Sequence, residues 1–345
     1  MKALVKREPG RGIVLADCPV PSCAAGQVLI RILKTGVCGS DLHIYQWDQW
    51  ASRRLKPPLI VGHEFVGRIE EVGSNVEHFR IGDLVSGEGH ISCGHCFFCR
   101  TGQGHICPET QIIGVDRDGC FAELMAFPAQ NTWKVHPSIS IESAAIFDPF
   151  GNAMHSVMAQ CVAGKTVAVV GVGSIGLMAC QIAAVAGALC VLAIDPQEHK
   201  RKLAKQFGAT AAFDPGEPGW KAALANRSCG GHGVDVVLEM SGNAHGIRDS
   251  LEIVRRGGEV ALLGIPPQEI TLNLSESIIF KALTVRGING RRMFETWYQA
   301  EQFLVEHKVE LQPLITHEFP PEEFEDAFGV LERGESVKVL FDWSR

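Results

Sequence analysis

Crosslinking density is the first thing this sequence lacks. It carries 12 cysteines in 345 residues, too dilute for a fold held together by disulfides. It also lacks an excess of positive charge. Thirty-two Lys and Arg stand against 39 Asp and Glu, for a net charge of −7, so no general attraction draws the chain to nucleic acid or to an anionic membrane. The opening MKALVKREPG has no apolar leader, which argues against secretion and for the cytoplasm. No internal repeat and no low-complexity tract is present. One stretch, Thr166–Ile194, runs uncharged for 29 positions, long enough to span a bilayer. Gly171, Gly173, Gly176 and Gly187 interrupt it, however, and it divides into strand, turn, helix and strand. Such runs belong to buried strands of an α/β core covered on both faces.

What is present is an ordinary soluble composition, 46% apolar and 21% charged, in a chain long enough for two domains at about 150 residues each. The first half alternates short apolar runs with turn signals, as in QVLIRILKTG (27–36) and LIVGHEFVGRIEEVG (59–73), and reads as β-rich. From about residue 150 strands alternate with helices. Runs at 166–171, 189–195, 211–213, 234–240, 258–265 and 283–288 give six strands, and the alternation implies βαβ units in a parallel sheet. The tail predicts a helix over 293–307 and a strand over 337–343 that can return to the first domain. The expected fold class is therefore α/β, a β-rich domain beside a doubly wound parallel sheet.

Gly171-Val172-Gly173-Ser174-Ile175-Gly176 follows a strand and opens a helix. The first glycine permits a tight turn, the second admits a pyrophosphate to the backbone, and the third lets helix and strand pack closely. The helix N-terminus then faces the phosphates. Asp195 ends the next strand, 19 residues past Gly176. A carboxylate there accepts hydrogen bonds from both ribose hydroxyls and repels a 2′-phosphate, so NAD is expected rather than NADP. Lys200 can cover the adenosine side. A glycine-rich buried turn without a ligand is the plain alternative, but strand, helix and acid agree against it.

Four cysteines cluster as Cys93-x2-Cys96-x2-Cys99-x7-Cys107. Four thiolates at short spacing close a tetrahedron around a structural Zn²⁺ with no open position; an iron–sulfur cluster is the rival reading. Elsewhere Cys38 lies in a glycine-bounded segment with Ser40 and His43, and His63 and Glu64 lie in Gly62-His63-Glu64-Phe65-Val66-Gly67. Each taken singly is an ordinary core or surface residue. Together, upstream of a dinucleotide motif, a cysteine, a histidine and a carboxylate make a second zinc site with room for substrate.

Gly62-His63-Glu64-x2-Gly67-x5-Gly73-x2-Val76 resembles the signature of the zinc-containing medium-chain alcohol dehydrogenases. Cys38, the four-cysteine lobe, the glycine motif and Asp195 fall where that family places them, over the whole chain. The segments around His43–Asp48, Gly87–Cys93, Phe147–Ala153 and Met293–Tyr298 look like the family's bacterial L-threonine 3-dehydrogenase branch. The resemblance implies a GroES-like catalytic domain over 1–150 with the structural zinc lobe, a Rossmann domain over 151–290, and a segment 291–345 completing the first domain. It also implies a homotetramer, two zinc ions per subunit, and oxidation of L-threonine to L-2-amino-3-oxobutanoate with NAD taking the hydride. By position, Cys38, His63 and Glu64 would hold the catalytic zinc, Asp148 would sit beside it, and Ser40 and His43 would pass the proton outward. Gly171, Gly173, Ile175, Gly176, Asp195, Lys200, Leu263, Gly264, Ile265, Ile288 and Asn289 match cofactor positions. Ser40 stands where the branch usually has threonine, Lys200 where it has arginine, and Asn289 where it has an aromatic residue.

Threonine further needs partners for its two charged groups. Arg291 or Arg292 is a candidate for the carboxylate, and Asp148 or Glu88 for the ammonium. Two other functions stand beside this one. A polyol or vicinal-diol dehydrogenase would use the same zinc and NAD. A zinc-ribbon nucleic-acid binder could be built on the four-cysteine lobe, but the acidic balance opposes it.

Overall fold

The structure, a computed structural model, describes residues 1–344. They form two compact units. One comprises Met1–Asp148, Arg292–Glu306 and the described residues from Glu310 onward; the other comprises Pro149–Arg291 and His307–Val309.

The first unit is organised by the strand Gln27–Val37. Val28, Ile30 and Ile32 alternate into the core while Arg31 points to solvent, the period-two pattern of a strand with one covered face. It pairs antiparallel with Glu64–Val72, with Leu124–Pro128 and with Lys338–Asp342. The last of these is the chain's final strand, buried along its whole length. Its Phe341 meets Phe121 edge-on at 5.3 Å, and truncating so buried an aromatic costs about 3–5 kcal/mol. The pairing register fixes which residues meet at the end of the central strand. Gly36 lies opposite Glu64 on one side and opposite Leu340 on the other, and Val37 lies opposite Val339. The strand ends at Val37, and the helix Gly39–Gln46 begins at once, with Cys38 as its N-cap. Its far end is held by Trp47 in the left-handed region, φ 56°, with the Lys6 ammonium 4.7 Å over the indole.

The second unit is one six-stranded parallel sheet. Its spatial order is Ala211–Phe213, Cys190–Ile194, Thr166–Val170, Val234–Glu239, Val254–Leu262, Thr284–Gly287. This is the 3-2-1-4-5-6 order of dinucleotide-binding sheets. All six strands expected from the sequence are present. The fifth starts earlier than its apolar run because the chain passes from the helix Ala244–Ile253 straight into pairing at Val254. The uncharged 29-residue run resolves into strand Thr166–Val170, helix Ser174–Val185 and strand Cys190–Ile194. Among the described residues no helix is long and apolar enough to cross a membrane. The edge strand Thr284–Gly287 is exposed at every residue.

Candidate active site and cofactor site

Strand end and helix start bring the first metal triplet together. Cys38 caps the Gly39–Gln46 helix; His63 and Glu64 begin the neighbouring strand, reached through Gly62 at φ 90°. A bulkier residue at Gly62 would be strained there and would strike the Phe121 ring. The ligand atoms of Cys38, His63 and Glu64 lie within 4.8 Å of one another, with His63 and Glu64 buried. A cysteine, a histidine and a carboxylate converging at one point are a donor set that suits a bound zinc ion.

Two residues that sequence reading assigned no role surround the triplet. Asp41 is 1% exposed. Its Oδ2 accepts the Cys38 backbone N–H at 2.8 Å, and its Oδ1 faces His63 Nδ1 at 3.6 Å. It thus caps the helix and orients the imidazole, leaving Nε2 for the site; a carboxylate behind a metal-binding histidine fixes its tautomer. Burial disfavours protonated His63, but Asp41, Cys38 and Asp148 together outweigh it and raise the imidazole to about 10. Lys338 lies on the opposite side, its ammonium 2.8 Å from Glu64 Oε1 and 2.6 Å from Oε2. Burial opposes the Lys338 charge, but Glu64, with Cys38 and Asp41 behind it, holds the amine above its ordinary value. Asp41 was detectable in principle, since an acid three residues past an N-cap is a capping-box spacing. Lys338 was not, being 274 residues from Glu64.

The relay candidates sit on the same helix. Ser40 Oγ is 3.5 Å from His63 Nε2. His43 is three residues further, on the same helical face. Its Nδ1 bonds Asp48 Oδ2 at 2.7 Å, and its side chain is 49% exposed. Trp50 meets that imidazole edge-on at 6.1 Å. Asp148 is buried at the start of the Phe147–Met158 helix, close enough for its charge to act on His63 and Glu64.

The cysteine lobe converges as well. All four sulfurs lie within 4.8 Å of one another. Three of the separations are 4.0 Å for Cys93–Cys99, 3.5 Å for Cys96–Cys99 and 3.8 Å for Cys96–Cys107. A tetrahedron with metal–sulfur bonds of about 2.3 Å has edges of about 3.8 Å, so the lobe is already at the size zinc needs. Burial works against the Cys107 thiolate, yet the backbone N–H groups of Cys93 and Glu109 and the side chains of Cys93 and Cys96 together bring that thiol down to about 6.

In the second unit the cofactor candidates gather at the carboxyl ends of the parallel strands, where such sheets bind ligands. Gly171 turns at φ 85° directly against Ser241. The helix Ser174–Val185 starts at the N-cap Gly173. Asp195 follows its strand, with Oδ2 accepting Val172 N–H at 3.0 Å and Oδ1 accepting Gln197 N–H at 2.9 Å. Leu263 and Gly264 both donate backbone N–H groups to the Glu239 carbonyl, and Ile265 beyond them is 82% exposed. Ile288 and Asn289 follow the sixth strand, and Lys200 lies in the helix Glu198–Gln206 after Asp195. Glu239 is a further residue sequence reading passed over. Its buried carboxylate accepts from Ser241 and Gly242 N–H groups and so fixes the loop beside Gly171.

Residues 174–306 match the zinc-binding dehydrogenase family and residues 24–137 the alcohol dehydrogenase GroES-like domain. The L-threonine 3-dehydrogenase of Bacillus subtilis (strain 168) is 43% identical over 342 residues, covering 99% of this chain and 98% of that one. That of Coxiella burnetii (strain Dugway 5J108-111) is 44% identical over 345 residues, the full length of both. The chain belongs to the zinc-binding medium-chain dehydrogenases. Among solved structures, 2R,3R-butanediol dehydrogenase from Bacillus subtilis superposes with a TM-score of 0.88 at 26% identity, covering 99% of each chain. Membership makes zinc, not an iron–sulfur cluster, the metal of this dehydrogenase, and both donor sets fit it.

The candidates for the substrate's charged groups separate on geometry. Glu88 is fully buried and already engaged, Oε2 by the Trp297 indole N–H at 2.9 Å and Oε1 by the His90 N–H at 2.9 Å. Arg291 is 2% exposed and lies against Gly151 and Asn152. Arg292 is half-exposed, with Glu295 at 3.1 Å.

Proposed function

We propose that this dehydrogenase oxidises the β-hydroxyl of L-threonine to L-2-amino-3-oxobutanoate with NAD as acceptor. The reading rests on the convergence of Cys38, His63 and Glu64 beside Ser40 and Asp148, in a chain 43–44% identical end to end to L-threonine 3-dehydrogenases. Cys38, His63 and Glu64 would hold the catalytic zinc, and Cys93, Cys96, Cys99 and Cys107 the structural one.

Zinc supplies Lewis acidity and NAD supplies the hydride acceptor. The protein's residues do the rest. Ser40 Oγ takes the proton of the substrate hydroxyl and passes it to His43 one turn on. With Nδ1 committed to Asp48, His43 receives it on Nε2, and its exposed ring releases it to water. Asp148 attracts the ammonium, and Arg291 or Arg292 the carboxylate. Gly171, Gly173 and Gly176, with the helix N-terminus at Ser174 and Ile175, seat the pyrophosphate. Asp195 binds the ribose hydroxyls and excludes a 2′-phosphate, Lys200 covers the adenosine, and Leu263, Gly264, Ile265, Ile288 and Asn289 line the cofactor. We place the enzyme in the cytoplasm as a homotetramer. The exposed edge strand Thr284–Gly287, with Leu274, Ile279 and Phe280 exposed nearby in sequence, suits contact between copies, and light scattering reads the subunit number.

The deciding experiment measures NADH formation from L-threonine, L-allo-threonine, 2,3-butanediol and sorbitol, with and without a zinc chelator. Chelator-sensitive preference for L-threonine is expected. Turnover of the diol or polyol alone would refute the substrate and favour the alternative dehydrogenase.

A further inference from the structure

Lys338 is a buried cation with no part in the relay, the cofactor site or the structural lobe. Its side chain is 3% exposed and that of Glu64 is 0% exposed. Beyond Glu64, its ammonium donates to the Val37 carbonyl at 2.9 Å. The strand register builds the contact, because Gly36 faces Glu64 on one side and the Lys338–Asp342 strand on the other. Room for it comes from Gly36. A Cβ there would fall well inside 3.0 Å of Glu64 Oε2 and 3.1 Å from Lys338 Cε. Three positions on three strands are thus committed to seating one ion pair at the edge of the metal triplet.

Lys338 acts on Cys38 through its charge as well, but the contact its ammonium makes is with Glu64. His63 is backed by Asp41, which strengthens it as a donor, and Cys38 is fixed at the helix N-cap. Glu64 alone has its carboxylate already shared with a cation. A buried ammonium and a metal ion draw on the same negative charge, so whatever one gains the other loses.

We propose that Lys338 is a positioning residue for Glu64, holding its carboxylate when metal is absent and thereby weakening the site's grip on zinc. Resting on the reading that Glu64 faces the metal, this makes Glu64 the replaceable ligand of the three. Removing the Lys338 charge strands a buried carboxylate in the metal-free protein, which zinc then neutralises, so affinity for zinc rises through the free energy of the empty state.

The test uses full-length zinc-loaded protein and chelator competition with a chromogenic indicator, counting zinc per subunit. Cys38→Ser identifies the catalytic-site zinc by losing it while the cysteine-lobe zinc stays. Lys338→Met is expected to retain the catalytic-site zinc at least about tenfold more tightly than wild type. On a Glu64→Gln background the same change is expected to have no effect. Unchanged or weaker retention in Lys338→Met overturns the inference, as does tightening that persists without the Glu64 charge. If Lys338→Met fails to fold, Lys338→Arg carries the test. It keeps the charge and pairs with the carboxylate in a fixed fork, so retention at or below wild type supports the inference and tighter retention overturns it. Two zinc ions remaining in Cys38→Ser would instead refute the metal-site reading itself, a distinguishable failure.

Discussion

Gly173→Ala and Gly176→Ala separate a glycine that clears space for a ligand from one that clears space for the protein. At Gly173 the backbone is ordinary, φ −68° and ψ −165°, and an added Cβ would meet nothing within 4 Å. The protein itself therefore tolerates alanine, losing only what Ala costs relative to Gly at an N-cap, about 0.5–1 kcal/mol. At Gly176 the added Cβ would fall well inside 3.0 Å of the Gly171 carbonyl oxygen, in the turn that the helix packs against. Helix and turn must move apart, at about 1–3 kcal/mol. With NAD the positions are expected to converge. The Gly173 methyl intrudes where the pyrophosphate approaches, and a similar 1–3 kcal/mol of overlap raises the Kd for NADH about 5- to 150-fold. Thermal unfolding without cofactor and NADH titration by fluorescence read the two effects. Gly173→Ala should melt close to wild type yet bind NADH poorly, while Gly176→Ala should melt several degrees lower and bind poorly as well. NADH binding at wild-type strength in Gly173→Ala would refute the placement of the pyrophosphate on this loop.

Three other outcomes are expected. Asp41→Asn keeps the size of the side chain but removes the charge facing His63, and should lower zinc retention at the catalytic site by about 10- to 100-fold, read by chelator competition. Cys107→Ser should abolish the structural zinc and lower the melting temperature, whereas Cys38→Ser should abolish activity and the other zinc with a much smaller thermal effect; equal melting losses would undo the division of roles. Asp235 tests pH linkage. Burial raises its carboxyl, but the Thr166 N–H, the Arg255 guanidinium and Lys165 bring it below 3.8 in total. Its stabilisation is therefore full above about pH 4 and lost as pH falls through the lower folded value. Urea midpoints of wild type and Asp235→Asn should differ most near neutral pH and converge below 3.8; a gap that widens in acid contradicts the assignment.

Much of this protein could be read without coordinates, and the reasons are local. Inner strands of the parallel sheet such as Thr166–Val170 and Cys190–Ile194 announced themselves as uncharged runs, because strands buried on both faces tolerate little else. The glycine motif and Asp195 are legible because backbone approach and ribose binding demand fixed residue types at a nearly fixed spacing. The four lobe cysteines are close in sequence because a small tetrahedron is most easily built from one short loop. Strand limits were less legible, as at Val254, where pairing with Val234 extends the strand beyond its apolar run.

Chain sequence therefore determined the fold class, the nucleotide motif and the candidate metal donors, all properties of short windows. Tertiary structure alone decided which charges surround those donors. Asp41 reaches His63 because a helix starts with only Cys38 between it and the strand end, and Lys338 reaches Glu64 because the last strand returns beside the one carrying Gly36. It also decided that Glu88 is spent on Trp297 and His90 rather than left for substrate. Charges interact through space over a few ångströms, whatever their separation along the chain, and no local pattern encodes which partners folding will supply.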